Sequence, residues 1–173
     1  MLFLGIDQSL TSTGVALIGN AGAPLELLCI KPKALRGVQR LAYIRDGLRD
    51  LLKGKEITQA AREGYSYGSV GTGRVFELGE IGGVLDLMLH DLRIPSIAIP
   101  PTSLKLAITG SGAASKDKVR QSVFKRFGWD IDQDDKCDAY SLAQVAMLYT
   151  TKKWRTRTEA DVVMKLIEAN MES

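Results

Sequence analysis

The chain has little of what most readily announces a function. It contains one histidine and two cysteines in 173 residues. Cys29 and Cys137 lie far apart and form neither a CxxC nor a zinc-ligand spacing, which points to reduced thiols and a cytosolic setting. His90 falls inside a predicted helix and reads as a surface residue, so the chemistry must run without imidazole. No apolar run approaches the length of a membrane span. The start, Met1–Ile6, lacks the basic segment and long apolar core of a signal peptide. There is no internal repeat and no low-complexity tract. What is present is ordinary for a globular chain, 45% hydrophobic and 25% charged. The expectation is one soluble cytoplasmic domain with a real core.

Charge is distributed more tellingly than its total. A net charge of +3 and a pI near 8.9 permit a polyanionic partner without demanding one. Lys116, Lys118, Arg120, Lys125 and Arg126 cluster around a single acid, Asp117. Lys152, Lys153, Arg155 and Arg157 form a second cluster with Trp154 among them. Each cluster is either a solvated helix face or a contact for a polyanion.

The organising stretch is the first. Leu2–Ile6 is a short apolar run that ends on Asp7, and the polar segment 8–14 closes on Gly14 before a second run, Val15–Ile18. That pattern reads as a hairpin of buried strands. Pro24–Ile30 is a third strand. Leu41, Ile44, Leu48, Leu51 and Leu52 recur at helical spacing, with Arg and Asp on the wet side. Ile57–Ala61 is a fourth strand that delivers Glu63, and Ile94–Ile99 is a fifth. Between them runs a helix with Val75, Leu78, Gly82, Leu85 and Leu89 on one face. Gly79, Gly82 and Gly83 each cost that helix about 1 kcal/mol relative to Ala. Close packing offsets this, either on the protein's own sheet or in a seam between two copies. A short helix through Leu104–Ala107, a basic helix over 116–127 capped by Ser115, a helix ending near Tyr149 and a C-terminal helix complete the chain. Three strands, a helix and another strand describe an α/β sheet of mixed direction.

Four acids stand out. Asp7 follows strand one, Glu63 follows strand four, and Asp135 and Asp138 share one face of a helix start at i, i+3. Plain readings stand beside this: Asp7 as a turn residue, and Asp134 and Asp135 as caps favoured by the helix dipole, an account that fits Asp134 better than Asp138. If strands one and four are neighbours, all four meet. Two carboxylates about 4 Å apart then repel by roughly 4 kcal/mol at an effective dielectric of 20. Such a cluster calls for a cation, and all-oxygen ligands select Mg²⁺ or Mn²⁺ over zinc. A pair of such ions can activate water and stabilise the leaving oxygen of a phosphodiester.

These residues resemble a known family. Gly5-Ile6-Asp7 with Thr13-Gly14-Val15-Ala16, Glu63 after strand four, Leu78–Gly83, and Asp135-Lys-Cys-Asp138-Ala139 stand in the order of the RuvC Holliday-junction resolvases. The segment Glu63–Gly68 is similar to phage-encoded members. The resemblance covers residues 2–150, taken as the nuclease domain, with 151–173 as an added basic segment and helix. It implies an RNase H-like fold: a five-stranded mixed sheet, three antiparallel strands first, flanked by helices on both faces. It implies Asp7, Glu63, Asp135 and Asp138 as metal-binding acids, with Lys105 and Lys116 near the scissile phosphate. Lys118 and Arg120 join them as DNA contacts. It also implies a homodimer built on the glycine-bearing helix (Val75, Leu78, Gly79, Gly82 and Gly83) and paired nicks in a four-way DNA junction.

Two departures stand out. Gln8-Ser9 replaces the family's Pro-Gly. Ser66 occupies the place of a base-stacking aromatic, between Tyr65 and Tyr67, and Tyr67 is the candidate substitute. Two other readings stay open. One is a phosphate-binding ATPase or kinase domain of the actin and sugar-kinase superfamily, which shares the Gly-x-Asp hairpin but needs a second lobe. The other is a non-catalytic protein that binds branched DNA.

Overall fold

The structure, a computed structural model, describes residues 1–64 and 74–171. Its elements are β1 (Leu2–Asp7), β2 (Thr13–Gly19), β3 (Pro24–Ile30), α1 (Gly37–Leu52), β4 (Ile57–Glu63), α2 (Arg74–Asp91), β5 (Ser96–Ile99), α3 (Pro101–Thr109), α4 (Lys116–Phe127), α5 (Asp134–Thr151) and α6 (Arg157–Met171). The strands lie in the order β3-β2-β1-β4-β5, antiparallel from β3 to β1 and parallel from β1 to β5. This is the mixed sheet the sequence predicts. Details differ: α1 begins at Gly37, β5 begins at Ser96, and His90 sits in the last turn of α2, exposed. Among the described residues no helix is long and apolar enough to cross a membrane.

Strand alternation divides the core in two, because successive side chains point to opposite faces. Phe3, Ala16, Ile18, Ala61 and Ile97 pack on one face beneath α3, α4, α5 and α6. Leu4, Ile6, Val15, Leu17 and Ala60 pack on the other beneath α1 and α2. Parity also fixes where the strand ends aim. Phe3, Gly5 and Asp7 share a face, and so do Ala61 and Glu63. Both acids therefore leave the sheet on the α5 side.

Helix α5 lies directly on that face. Every residue from Ala139 to Leu148 is buried, so the helix is covered on all sides and shows no amphipathic stripe. Two glycines make this approach possible. A Cβ on Gly5 would stand 1.9 Å from the Ala139 carbonyl oxygen, and one on Gly14 would stand 2.0 Å from that of Asp135. Both obstacles are backbone, which cannot swing aside as a side-chain tip can. Gly5→Ala is therefore expected to cost more than the roughly 1–3 kcal/mol of ordinary overpacking. Urea unfolding measures it, and a loss below about 0.5 kcal/mol, the scatter of neutral surface changes, would contradict the seating.

Helix ends follow sequence chemistry. Ser115 Oγ accepts from the Lys118 backbone N–H at 3.3 Å, the expected N-cap of α4. Thr156 and Glu159 form a capping box at α6: Thr156 Oγ accepts from Glu159 N at 3.1 Å and Glu159 Oε2 accepts from Thr156 N at 3.1 Å. Glu159 is buried and paired with Arg126, which also donates to the carbonyls of Ala107 and Ile108 at 2.9 and 2.6 Å. One guanidinium thus ties α3, α4 and α6 together. Val162, Val163 and Leu166 bury the apolar side of α6.

Candidate active site

The acidic ends converge through strand register. β1 pairs parallel with β4, Ile6 opposite Arg62, so Asp7 and Glu63 emerge side by side at the carboxyl ends of adjacent strands. Gly14 is the antiparallel partner of Asp7 and also the seat for the Asp135 backbone. The first turns of α5 thereby bring Asp135 and Asp138 over the strand ends. Asp7, Glu63 and Lys116 line one cleft of about 360 Å³. Between β1 and β2 the rim is fastened by its hydroxyls: Thr13 Oγ1 donates to the Ser9 carbonyl at 2.6 Å, and Ser9 Oγ accepts from Thr11 N at 3.3 Å.

Electrostatics record the convergence. Burial, then the charges of Glu63, Asp138 and Asp135, push the Asp7 carboxyl up to about 8, against the pull of Lys116. Glu63 is raised by burial and by Asp138, with Lys105 and Lys116 opposing. Asp138 is raised by burial, while Lys116 and Lys105 pull it down. Burial works against the charge on Lys116, yet Asp134, Asp138 and Asp135 together hold it above its ordinary value. Asp7, Glu63, Asp138 and Lys116 thus act on one another, with Asp135 felt at Asp7 and Asp138 and Lys105 felt at Glu63 and Asp138, while the walls of the cleft itself carry Asp7, Glu63 and Lys116.

The donor set is hard oxygen throughout, which suits Mg²⁺ or Mn²⁺, and like charges raising one another are what a divalent cation would relieve. Among the described residues no three His, Cys, Asp or Glu groups are arranged to hold an ion.

Other predicted contacts fall out unevenly. Lys118 and Arg120 project from α4, and Arg120 stands 4.0 Å from Asp134. Tyr65 and Tyr67 lie outside the described residues, as does the Val75 side chain. Asp134, read as a cap, instead sits in the first turn of α5 behind the N-cap Gln133. Its Oδ2 stands 3.4 Å from Lys116 Nζ and so joins α4 to α5 beside the cleft. The basic segment 152–157 begins at the far end of α5, about 21 Å from Asp138 at 1.5 Å per residue, and does not reach this cleft. Both cysteines are free, and burial pushes the Cys137 thiol up to about 12.

Sequence reasoning missed Arg62. Its side chain leaves β4 on the face opposite Glu63 and forms a two-pronged pair with Asp86 of α2, Nε to Oδ1 at 2.6 Å and Nη2 to Oδ2 at 2.5 Å. Its Nη1 donates to the Glu63 carbonyl at 3.0 Å, which braces the backbone that carries the acid. An arginine inside a buried strand was the available signal.

On the α2 surface, Gly79 and Gly83 meet nothing within 4 Å of an added Cβ, so the protein's own sheet does not explain them, whereas Gly82, expected in the same seam, is buried on the inner side of the helix. Phe76 and Leu87 are 81% and 63% exposed on the same stripe, while Ile81, Leu85, Met88 and Leu89 fill the core from the other side.

A five-stranded sheet of this order, with acids at the ends of β1 and β4 and on the helix laid across them, is an RNase H-like fold. The model of the family "Crossover junction endodeoxyribonuclease RuvC" matches residues 3–146. A crossover junction endodeoxyribonuclease RuvC of Prochlorococcus marinus (strain MIT 9303) is 30% identical over 149 residues, spanning 83% of this chain and 96% of its own. One from Anaeromyxobacter sp. (strain Fw109-5) is 31% identical over 83% of this chain and 71% of its own. The RuvC structure of Thermus thermophilus superposes with a TM-score of 0.73 at 20% identity, over 88% of this chain and 97% of that one. A second T. thermophilus RuvC structure, in complex with Holliday junction substrate, gives 0.72 at 20% identity over 88% and 94%. The chain belongs to the RuvC family of crossover junction endodeoxyribonucleases. The ATPase and kinase reading is set aside.

Proposed function

We propose that this chain resolves four-way DNA junctions by paired nicks. In this reading Asp7, Glu63, Asp135 and Asp138 hold Mg²⁺, with Mn²⁺ able to substitute. The observation that carries it is the seating of α5 on Gly5 and Gly14, which draws acids from three distant segments to the ends of β1 and β4. When bound, the ions would supply Lewis-acid stabilisation of the phosphodiester and a lowered pKa for the attacking water.

The chain's own cations do the rest. The Lys116 side chain is 62% exposed and steadied by Asp134, so its ammonium can reach a phosphate and oppose the charge that builds there. Lys105 offers a second cation to the same space, and Lys118 and Arg120 extend the binding surface along α4. Tyr65 and Tyr67 are assigned to DNA bases, with Tyr67 the stacking platform. Incubating the protein with four-way junctions, flaps and duplex, with and without Mg²⁺, tests the reading: ion-dependent nicking centred on the junction supports it, and no nicking of any branched DNA refutes it.

A homodimer supports paired nicks, because a two-fold pair of sites matches the symmetry of a four-way junction. The α2 stripe of Phe76, Gly79, Gly83 and Leu87 is the assigned seam, since exposed apolar patches mark association sites. Charging it with Phe76→Glu and Leu87→Glu is expected to leave a folded monomer by sedimentation. A wild-type monomer at micromolar concentration, or a variant that still dimerises, would reject the seam. The working compartment in this reading is the cytoplasm of a bacterium or of a phage-infected host.

A further inference from the structure

Among the described residues, two polar atoms beside the carboxylates, Gln8 Oε1 and Arg40 Nε, have no protein partner. Gln8 is 3% exposed and lines the cleft next to Asp7, yet its Oε1 accepts no hydrogen bond. Arg40, in the first turn of α1, lines the same cleft with a buried Nε that donates to nothing. Among the described residues the Arg40 guanidinium enters no ion pair. Buried donors without partners are rare in native proteins, and each calls for an explanation. Arg40 is also placed where a cation complements the known ones. Its helix packs beneath the β1–β4 face that carries Leu4, Ile6 and Ala60, through Ile44 and Leu48. Lys116 belongs to α4, whose Val119 and Val123 pack on the other face. The acidic strand ends thus have a lysine on one flank and an arginine on the other. The first turn of α1 holds no acid and its N-cap makes no side-chain bond, so the positive end of that helix is left unneutralised.

We infer that Arg40, with Gln8 beside it, is a phosphate-binding residue. It grips the backbone of the DNA strand on the α1 flank of the cleft while Lys116 holds it on the α4 flank. A planar guanidinium with its donors in a fixed fork matches two phosphate oxygens, which explains why the side chain keeps free donors at this rim. The inference rests on the nuclease reading for the identity of the ligand, a DNA phosphodiester.

Arg40→Met keeps the apolar stem and removes the fork, and Arg40→Lys keeps the charge alone. The expected results, measured with a four-way junction in Mg²⁺-free buffer, are a Kd about tenfold weaker for the Met variant and a salt slope shallower by about one. The Lys variant should bind more weakly with the slope of wild type. The melting temperature should stay level or rise, because the group removed is unsatisfied in the folded protein. A single uncharged methylphosphonate at the contacted position should weaken wild type and leave Arg40→Met unaffected, whereas the same change elsewhere should weaken both. An unchanged Kd and slope, or a lower melting temperature with no phosphate position at which the two proteins differ, would overturn the inference. The second pattern would make Arg40 a structural partner of Gln8. Failure of the nuclease reading looks different: wild type would leave junctions uncut in Mg²⁺ even where the methylphosphonate pattern holds.

Discussion

Asp7→Asn is expected to remove Mg²⁺-dependent junction nicking while leaving junction binding intact or slightly tighter. Asn keeps the shape of the side chain and loses the charge that would draw a divalent cation to the end of β1. Metal stabilisation of a phosphodiester transition state is worth several kcal/mol, and at 1.36 kcal/mol per decade that is about a thousandfold in rate. In the proposed reading binding rests on Lys105 of α3 and on the basic residues of α4, all of which the substitution leaves in place, and one anion fewer faces the DNA backbone. Single-turnover cleavage and a mobility-shift assay on one junction separate the two effects. Cleavage within tenfold of wild type would remove Asp7 from the site.

The same substitution should reveal how the acids strain the fold. Burial and the neighbouring acids raise the Asp7 carboxyl from its ordinary 3.8 to about 8. A raised acid binds a proton in the folded state that the unfolded chain has already released. Stability then falls as pH rises between the two values. Four units at 1.36 kcal/mol each is on the order of 5 kcal/mol, shared among the coupled acids. In chelator, wild type and Asp7→Asn should be equally stable near pH 4, and the variant should gain steadily up to pH 8. At about 2–4 °C per kcal/mol for a chain of this size, the gap reaches about ten degrees in melting temperature. Mg²⁺ should close it by stabilising wild type alone. A difference that does not vary with pH, or one that favours wild type at pH 8, would contradict the coupling.

Much of this was legible in the sequence because strands announce themselves by short apolar runs and by the residues that end them. Asp7 and Glu63 stood out as carboxylates at strand exits, and Asp135 and Asp138 as a pair sharing one helix face. The reason these meet was not legible. Gly5 and Gly14 read as parts of a hairpin, and only the fold shows that each holds the backbone of a helix more than a hundred residues later. The helix ending near Tyr149 was legible, but not which of its sides meets the sheet, since a helix buried on all sides has no apolar stripe to read. Arg40 sat on the presumed wet side of α1, where an arginine carries no signal. The Thr156–Glu159 capping box was readable from spacing, but its buried pairing with Arg126 was not. The glycines of α2 raised two accounts: the open space over Gly79 and Gly83 removes the protein's own sheet as the reason for those two, while Gly82 is buried and keeps it.

Acids from three parts of the chain must jointly hold a divalent ion for the proposed chemistry to run. Anomalous scattering from crystals soaked in Mn²⁺ tests this most directly. A peak bounded by Asp7, Glu63 and Asp138 in wild type, absent in Asp7→Asn, is the predicted result. No ordered Mn²⁺ there at millimolar concentration, or an equal peak in the variant, would contradict it.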